Sequence, residues 1–132
     1  MASIYREVEI DASAEAVWDA IRDFGSIHIR VVPGFVTDTK MDGDARIVTF
    51  GNGTTAKELL VDCDDAKRRL VYAAVSERIV HHNASVQVIE RGNGLCRLIW
   101  YADVLPNQIA PYIAAQMDAA ATAMRATLGK SA

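Results

Sequence analysis

A handful of residues in this chain carry side chains that can move protons or hold a polar group, and their spacing decides which face each one occupies. His82 lies in the segment His81 to Glu90, where Ala84, Val86 and Val88 alternate with Asn83, Ser85 and Gln87. Successive side chains of a strand point to opposite faces, so His82 shares the apolar face and His81 the other. Two adjacent strand histidines diverge and do not readily chelate one metal ion. His82 is then a hydrogen-bonded core histidine or a cavity-lining acid, base or ligand anchor, because imidazole titrates near neutral pH. Trp100 is in phase with Cys96, Leu98 and Ala102, which makes it core or a wall for a flat ligand. Tyr72 is in phase with Leu70 and Ala74, and its hydroxyl needs a partner: Glu58, His82 or a ligand.

Glu58 shares phase with Ala56 and Leu60. Two placements are open: outside in solvent, or inside with a raised pKa and a general-base role. The outside placement follows the rule that charges are rarely buried without a partner. Arg46 and Arg78 are the cations able to pair with it across a sheet. His28 and Arg30 sit in a short segment at one end of the fold, as an entrance lid or as ordinary surface. No GxSxG, Walker loop, GxGxxG or paired-cysteine motif is present, which shifts weight from enzyme toward binding protein. No cofactor and no metal are expected.

These residues are positioned by elements that can be read in order. The longest helical signal is Pro106 to Leu128, with Ile109, Ile113, Met117, Ala120, Met124 and Leu128 at steps of three and four on one face. Pro106 and Pro111 suit its start and Gly129 its stop. Gln116 lies beside the stripe. Alanines between the large residues let another backbone come close. Met117 and Met124 are core, or adaptable walls of a cavity.

At the other end, Ala2 to Ile10 reads as a strand with Ile4, Val8 and Ile10 on one face and Arg6 in between. Asp11 or Ser13 caps a helix over Ala14 to Phe24, buried through Val17, Ile21 and Phe24, with Trp18 at its edge and Gly25 as its end. Ser26 to Val32 forms a further short helical piece, stopped by Pro33-Gly34. Strands are expected at Phe35 to Lys40, Ala45 to Phe50, Thr54 to Asp62, Arg69 to Ser76, His81 to Glu90 and Leu95 to Val104, joined by Gly- and Asp-rich turns. Tight turns force antiparallel pairing. A curved antiparallel sheet with one helix across its concave face is the economical solution.

Composition bounds the rest. A chain of 132 residues fits one domain; 51% hydrophobic and 23% charged residues are ordinary for a globular protein. The net charge of −3 gives no footprint for nucleic acid or an acidic membrane. No apolar run is long enough for membrane insertion. The first residues lack the apolar core of a signal peptide, so the expected compartment is the cytoplasm. Cys63 and Cys96 have no metal-site spacing and are expected as small buried hydrophobes in a reducing compartment. Oligomeric state is not readable.

Several stretches together resemble the START-like (SRPBCC) superfamily, which includes the birch-pollen-allergen-like proteins and the polyketide cyclase/dehydrase and lipid transport group. They are Ile10-Asp11-Ala12 followed by Ala16-Val17-Trp18, Arg46 after Gly43-Asp44, and Lys57-Glu58-Leu59-Leu60 after Gly53. Asp64-Asp65 leading to Arg69 and Tyr72, the Ala84 to Val88 strand, Gly94 to Trp100 and the final helix complete the set. The resemblance implies an α+β helix-grip fold: a seven-stranded antiparallel sheet wrapped round the C-terminal helix, two short helices after the first strand, and a cavity between sheet and helix. Val31 and Val32 stand where bacterial relatives often carry a Trp and a polar residue, so no ligand contact is carried over there. Fold does not settle function in such a group. Three readings follow. The first is a small hydrophobic or aromatic ligand bound by Tyr72, His82, Trp100, Met117 and Met124. The second is a cyclase, aromatase or dehydratase using His82 or Glu58. The third is an accessory protein with a closed core.

Overall fold

A computed structural model describes residues 2–129. Strand β1 (Ala2–Ile10) leads through the Ser13 cap into α1 (Ala14–Arg22). The Ser13 hydroxyl accepts the Ala16 N–H at 3.1 Å, satisfying one of the free donors of the first turn. A 3₁₀ turn (Phe24–Ser26) and the short α2 (Ile27–Arg30) follow. Six strands come next: β2 (Val36–Asp42), β3 (Ala45–Phe50), β4 (Thr55–Asp64), β5 (Arg69–Val75), β6 (His81–Gly92) and β7 (Leu95–Leu105). A 3₁₀ turn over Asn107–Ile109 then opens α3 (Ala110–Leu128).

All seven strands form one antiparallel sheet in the order β1-β7-β6-β5-β4-β3-β2. The chain therefore runs along β2 to β7 by hairpins and returns β1 to the far edge beside β7. Register shifts in β2, β4 and β6 insert an extra residue into each of three ladders, and such bulges bend and twist the strands that carry them. The turn at Gly92-Asn93-Gly94 holds three consecutive positive φ angles, between 56° and 85°, which glycine and asparagine tolerate. At Gly51 an added Cβ would lie 2.8 Å from the Gly34 carbonyl oxygen, so only glycine lets these two loops close against each other.

The concave face carries Val8, Ile10, Val86, Val88, Leu98 and Trp100, and α3 lays Ile113, Met117, Ala120, Ala121 and Met124 against it. This is the helix-grip arrangement. Arg6 sits in phase with the buried residues of β1 and still reaches solvent, because its guanidinium bonds Asp118 of α3 at 2.7 Å. That bond clips the helix to the edge strand. On the other side, Trp18 Nε1 donates to Asp65 at 2.9 Å and Arg22 to the same carboxylate at 2.8 Å, tying α1 to the β4–β5 turn.

Some expectations are corrected. The first helix stops at Arg22 rather than Phe24, because Asp23 leaves the helical region (φ −80°, ψ 77°), and Gly25 lies inside the 3₁₀ turn instead of ending the helix. Trp18 is buried rather than at the edge, since its indole has a hydrogen-bond partner underneath. Cys96 is buried as expected, but Cys63 is exposed: it lies beyond the β4 bulge, near the end of the strand.

Leu98 lies at the centre of this packing and is fully buried. Leu98→Ala is expected to lower unfolding free energy by about 2–5 kcal/mol with little change in the denaturant slope. Urea denaturation followed by far-UV circular dichroism measures both.

Candidate functional site

Sheet register assembles the polar residues into one row. Arg46 of β3 pairs directly with Glu58 of β4, and Glu58 with Ala74 of β5. The β5–β6 ladder runs from Arg69/Gln87 to Tyr72/Ala84 and stops there. One step further Ala74 faces His82, and the Ala74 N–H donates not to a backbone carbonyl but to His82 Nδ1 at 2.9 Å. The imidazole thus replaces the missing rung where the two strands part. Between Glu58 and His82 stands only the methyl group of Ala74, across two strand spacings of roughly 5 Å each.

Arg46 is the deepest charge. Its side chain is 5% exposed and that of Glu58 14%. Arg46 Nε and Nη2 both lie 2.7 Å from Glu58 Oε1, and Nη1 donates to the Phe24 carbonyl at 3.1 Å. The guanidinium also lies over the Phe24 ring, 3.8 Å from its centroid, and 5.5 Å from that of Tyr72. A buried charge costs several kcal/mol unless paired and hydrogen-bonded, and this one is both. Glu58 Oε2 has no hydrogen-bond partner among the described residues, nor is it among their sealed-off polar atoms, so it opens to the cavity.

Two adjoining spaces lie between the sheet and α3. A main cavity of about 710 Å³ is bordered by Tyr72, Ala74, His82, Trp100 and Met117, with Glu58 at its inner end. An inner recess of about 80 Å³ shares Glu58, Tyr72 and Trp100 and adds Arg46, Val32 and Met124. The mouth is formed by Ser76, Glu77 and Arg78 from the β5–β6 connection and by Gln108, Tyr112 and Gln116 from the start of the helical segment. Trp100 Nε1 donates to the Tyr72 hydroxyl at 3.3 Å, and the Tyr72 and His82 rings lie 5.8 Å apart. Burial pushes the Tyr72 phenol well above its usual range, so it stays a hydrogen-bond donor. Burial lowers the His82 pKa, while the Glu58 charge acts in the opposite sense and His81 adds to the lowering. Because Nδ1 accepts from Ala74, the proton of the neutral ring resides on Nε2.

Most of the residues singled out from sequence therefore come together. Tyr72, His82, Trp100 and Met117 border the main cavity, whereas Met124 reaches only the recess. Glu58 is inside, not in solvent, because Arg46 supplies the partner that burial requires. The Tyr72 hydroxyl is partnered by Trp100, not by Glu58 or His82. His28 and Arg30 form no lid: neither borders the cavity, and Arg30 bonds Asp19 and Asp23 at 2.7 and 3.1 Å. Two residues were missed, Phe35 and Phe50, whose rings pack edge to face at 5.6 Å beside both spaces. A signal for Phe50 existed, since Arg46, Val48 and Phe50 share one phase of β3. Among the described residues no group of three His, Cys, Asp or Glu side chains is placed to hold a metal ion, and no helix is long and apolar enough to cross a membrane.

The sequence model of the family described as "Polyketide cyclase / dehydrase and lipid transport" matches residues 1–131. The chain belongs to this family. No curated protein matches it significantly. Among solved structures, the protein XoxI from Bacillus cereus is similar, with 20% identity and a TM-score of 0.84 over 97% of this chain and 96% of that one. A START superfamily protein from Mycobacterium smegmatis follows, at 13% identity and a TM-score of 0.76 over 96% of each chain. The di-domain ARO/CYC BexL of the BE-7585A biosynthetic pathway matches at 12% identity and a TM-score of 0.81, over 96% of this chain and 46% of that one. At these identities the likeness to the solved structures shows a shared fold, and the chemistry of this chain rests on its own residues.

Two predictions follow from the row. Arg46→Met strands the Glu58 carboxylate and is expected to cost about 3 kcal/mol of stability, less where cavity water reaches Oε2. Adding Glu58→Gln recovers most of that loss, as a double-mutant cycle in urea checks. For His82 the folded-state pKa is depressed, so the unfolded state binds more protons and stability falls with acidity. The contribution is complete above the unfolded value near 6.5 and is lost as pH falls from there toward the folded value. The stability difference between wild type and His82→Gln is therefore expected to shrink below that pH, measured by denaturation across a pH series.

Proposed function

We propose that this protein binds a small hydrophobic or aromatic molecule in the main cavity. The observation that carries this reading is the cavity itself: about 710 Å³, within the range of small-molecule sites, with Trp100, Tyr72, Ile113 and Met117 on its wall and polar side chains such as Ser76, Glu77, Arg78, Gln108 and Gln116 at its mouth. Trp100 and Tyr72 offer flat surfaces from the sheet, and Met117 an adaptable one from α3. Glu58 and His82 supply the polar contacts that fix orientation. A closed-core accessory protein is disfavoured, because its cavity should fall well below roughly 300 Å³.

A second reading, an enzyme of the cyclase or dehydratase kind, is favoured by one observation. Glu58 and His82 flank the same small residue on one face, so a substrate lying over Ala74 touches both. The polyketide cyclase/dehydrase description of the family and the likeness to an ARO/CYC protein fit this reading as well as binding. Turnover that falls in His82→Ala or Glu58→Gln, with folding intact, would establish it.

Native mass spectrometry of freshly purified protein, repeated under denaturing conditions, tests the binding reading. A discrete extra mass lost on denaturation is the expected result. Saturable binding of the identified molecule is expected to weaken at least fivefold in Trp100→Ala and in Met117→Ala. Unchanged affinity in both variants would move the ligand out of this cavity.

A further inference from the structure

The geometry points to a ligand that presents an uncharged hydrogen-bond donor, a hydroxyl, to Glu58 Oε2, and to a cavity that excludes free carboxylic acids. The inference rests on the binding reading above and names the ligand class of that same site. Its first ground is which charge a ligand can reach. Glu58 borders the main cavity and Arg46 does not; Arg46 borders only the small recess behind it. Arg46 has its Nε and Nη2 on Glu58 Oε1, its Nη1 on the Phe24 carbonyl, and its face on the Phe24 ring. The guanidinium at the inner end is thus screened by the carboxylate already in place, and the other cation that borders the cavity, Arg78, stands at the mouth together with the acidic Glu77.

The second ground is the polarity of what remains free. Among the described residues Glu58 Oε2 is an acceptor without a partner. A ligand carboxylate would set an acceptor against an acceptor, with no proton to share, and would lose hydration that Oε2 does not replace. A ligand hydroxyl donates to Oε2 without that penalty. An ammonium gains less than it would at a lone carboxylate, because Arg46 compensates the charge of Glu58 from behind. Across the Ala74 gap, His82 Nε2–H is a donor, since its Nδ1 is held by the backbone. The cavity therefore offers an acceptor at Glu58 and a donor at His82, the complement of a molecule with a hydroxyl at one end and a carbonyl or ether oxygen further along.

Three probes sharing one ring system test this by isothermal titration calorimetry at neutral pH: 2-naphthol, 2-naphthoate and 2-naphthylmethylammonium. Wild-type protein is expected to bind 2-naphthol at least tenfold more tightly than 2-naphthoate, and no less tightly than the ammonium. In Glu58→Gln, Arg46 keeps at most a neutral acceptor and its charge is no longer compensated, so 2-naphthoate is expected to gain at least tenfold and the preference to reverse. Naphthoate binding to wild type as tightly as naphthol, or the ammonium binding tightest, overturns the inference while leaving the binding reading standing. No binding of any probe, with no bound mass in native spectra, overturns both. The wild-type comparison decides even if Glu58→Gln fails to fold.

Discussion

The structure depends on one ion pair, Arg46 with Glu58, set directly opposite each other on the inner face of β3 and β4. Taking two charges out of water costs several kcal/mol each, and attraction in the interior offsets that only when geometry and hydrogen bonding are good. Here Glu58 Oε1 takes two guanidinium nitrogens at 2.7 Å, and the remaining arm of Arg46 finds the Phe24 carbonyl. That last bond reaches beyond the sheet. It fixes the 3₁₀ turn at Phe24–Ser26 over β3, and α2 then rests on β2. The helical connection between β1 and β2 is thereby anchored to the sheet by a charge, not only by apolar contact. A polar face is tolerated inside the grip because its charges cancel locally.

The same arrangement explains why space remains. Three bulges bend the sheet, and space remains between it and the first half of the 19-residue α3, where Tyr112, Ile113, Gln116 and Met117 border the cavity. Ala120 and Ala121 bring the helix close to the sheet, while Met117 fills irregular gaps without closing them. Toward the start of the helix β5 and β6 part after Tyr72/Ala84, and the ladder is mended by an imidazole rather than by backbone. Empty volume in a core forfeits dispersion contacts and lowers stability. A cavity of this size is therefore expected only where it is occupied or where other packing compensates. The fully buried residues Val8, Ile10, Leu98 and Val104, clustered on β1 and β7, supply that compensation on the same concave face, toward the β1 edge of the sheet.

Alternation by two and by three-and-four made most of this legible. Phase alone placed His82, Tyr72 and Trp100 inward, because each is flanked at i±2 by apolar residues and the strands are long. It also placed every strand within a residue or two. The limits are physical. Glu58 was ambiguous because its burial turns on a partner across the ladder, and register between strands is not written in either strand alone. Cys63 was misplaced because burial at a strand end turns on what covers it: the bulge sets Cys63 opposite Leu70, yet near the end of β4 it stays exposed. Trp18 was read as an edge residue because its partner, Asp65, lies 47 positions away. The resemblance to a known superfamily supplied the seven-stranded antiparallel sheet wrapped round the helix; the return of β1 beside β7 is encoded by no local pattern and came from the structure.

The remaining question is whether Glu58 and His82 orient a molecule or also transform it, and the hydrogen bonds bear on it. A general base needs a free lone pair aimed at the proton it removes. On His82 the lone pair is at Nδ1, and the Ala74 amide already occupies it; what faces the cavity is an N–H. To act as a base His82 would have to break that bond and turn its ring, which would also cut the only tie between β5 and β6 at this point. The depressed pKa keeps the ring neutral and the tie intact near neutral pH. Glu58 keeps one lone-pair oxygen free, so proton abstraction, if the cavity performs any, falls to Glu58, with His82 Nε2–H and the Tyr72 hydroxyl stabilising negative charge on an oxygen. That division matches what a binding site needs as well: one acceptor and two donors at fixed spacing on an otherwise apolar wall. Orientation is thus common to both readings, and a chemical step would require no group beyond those that the binding reading already assigns to the ligand.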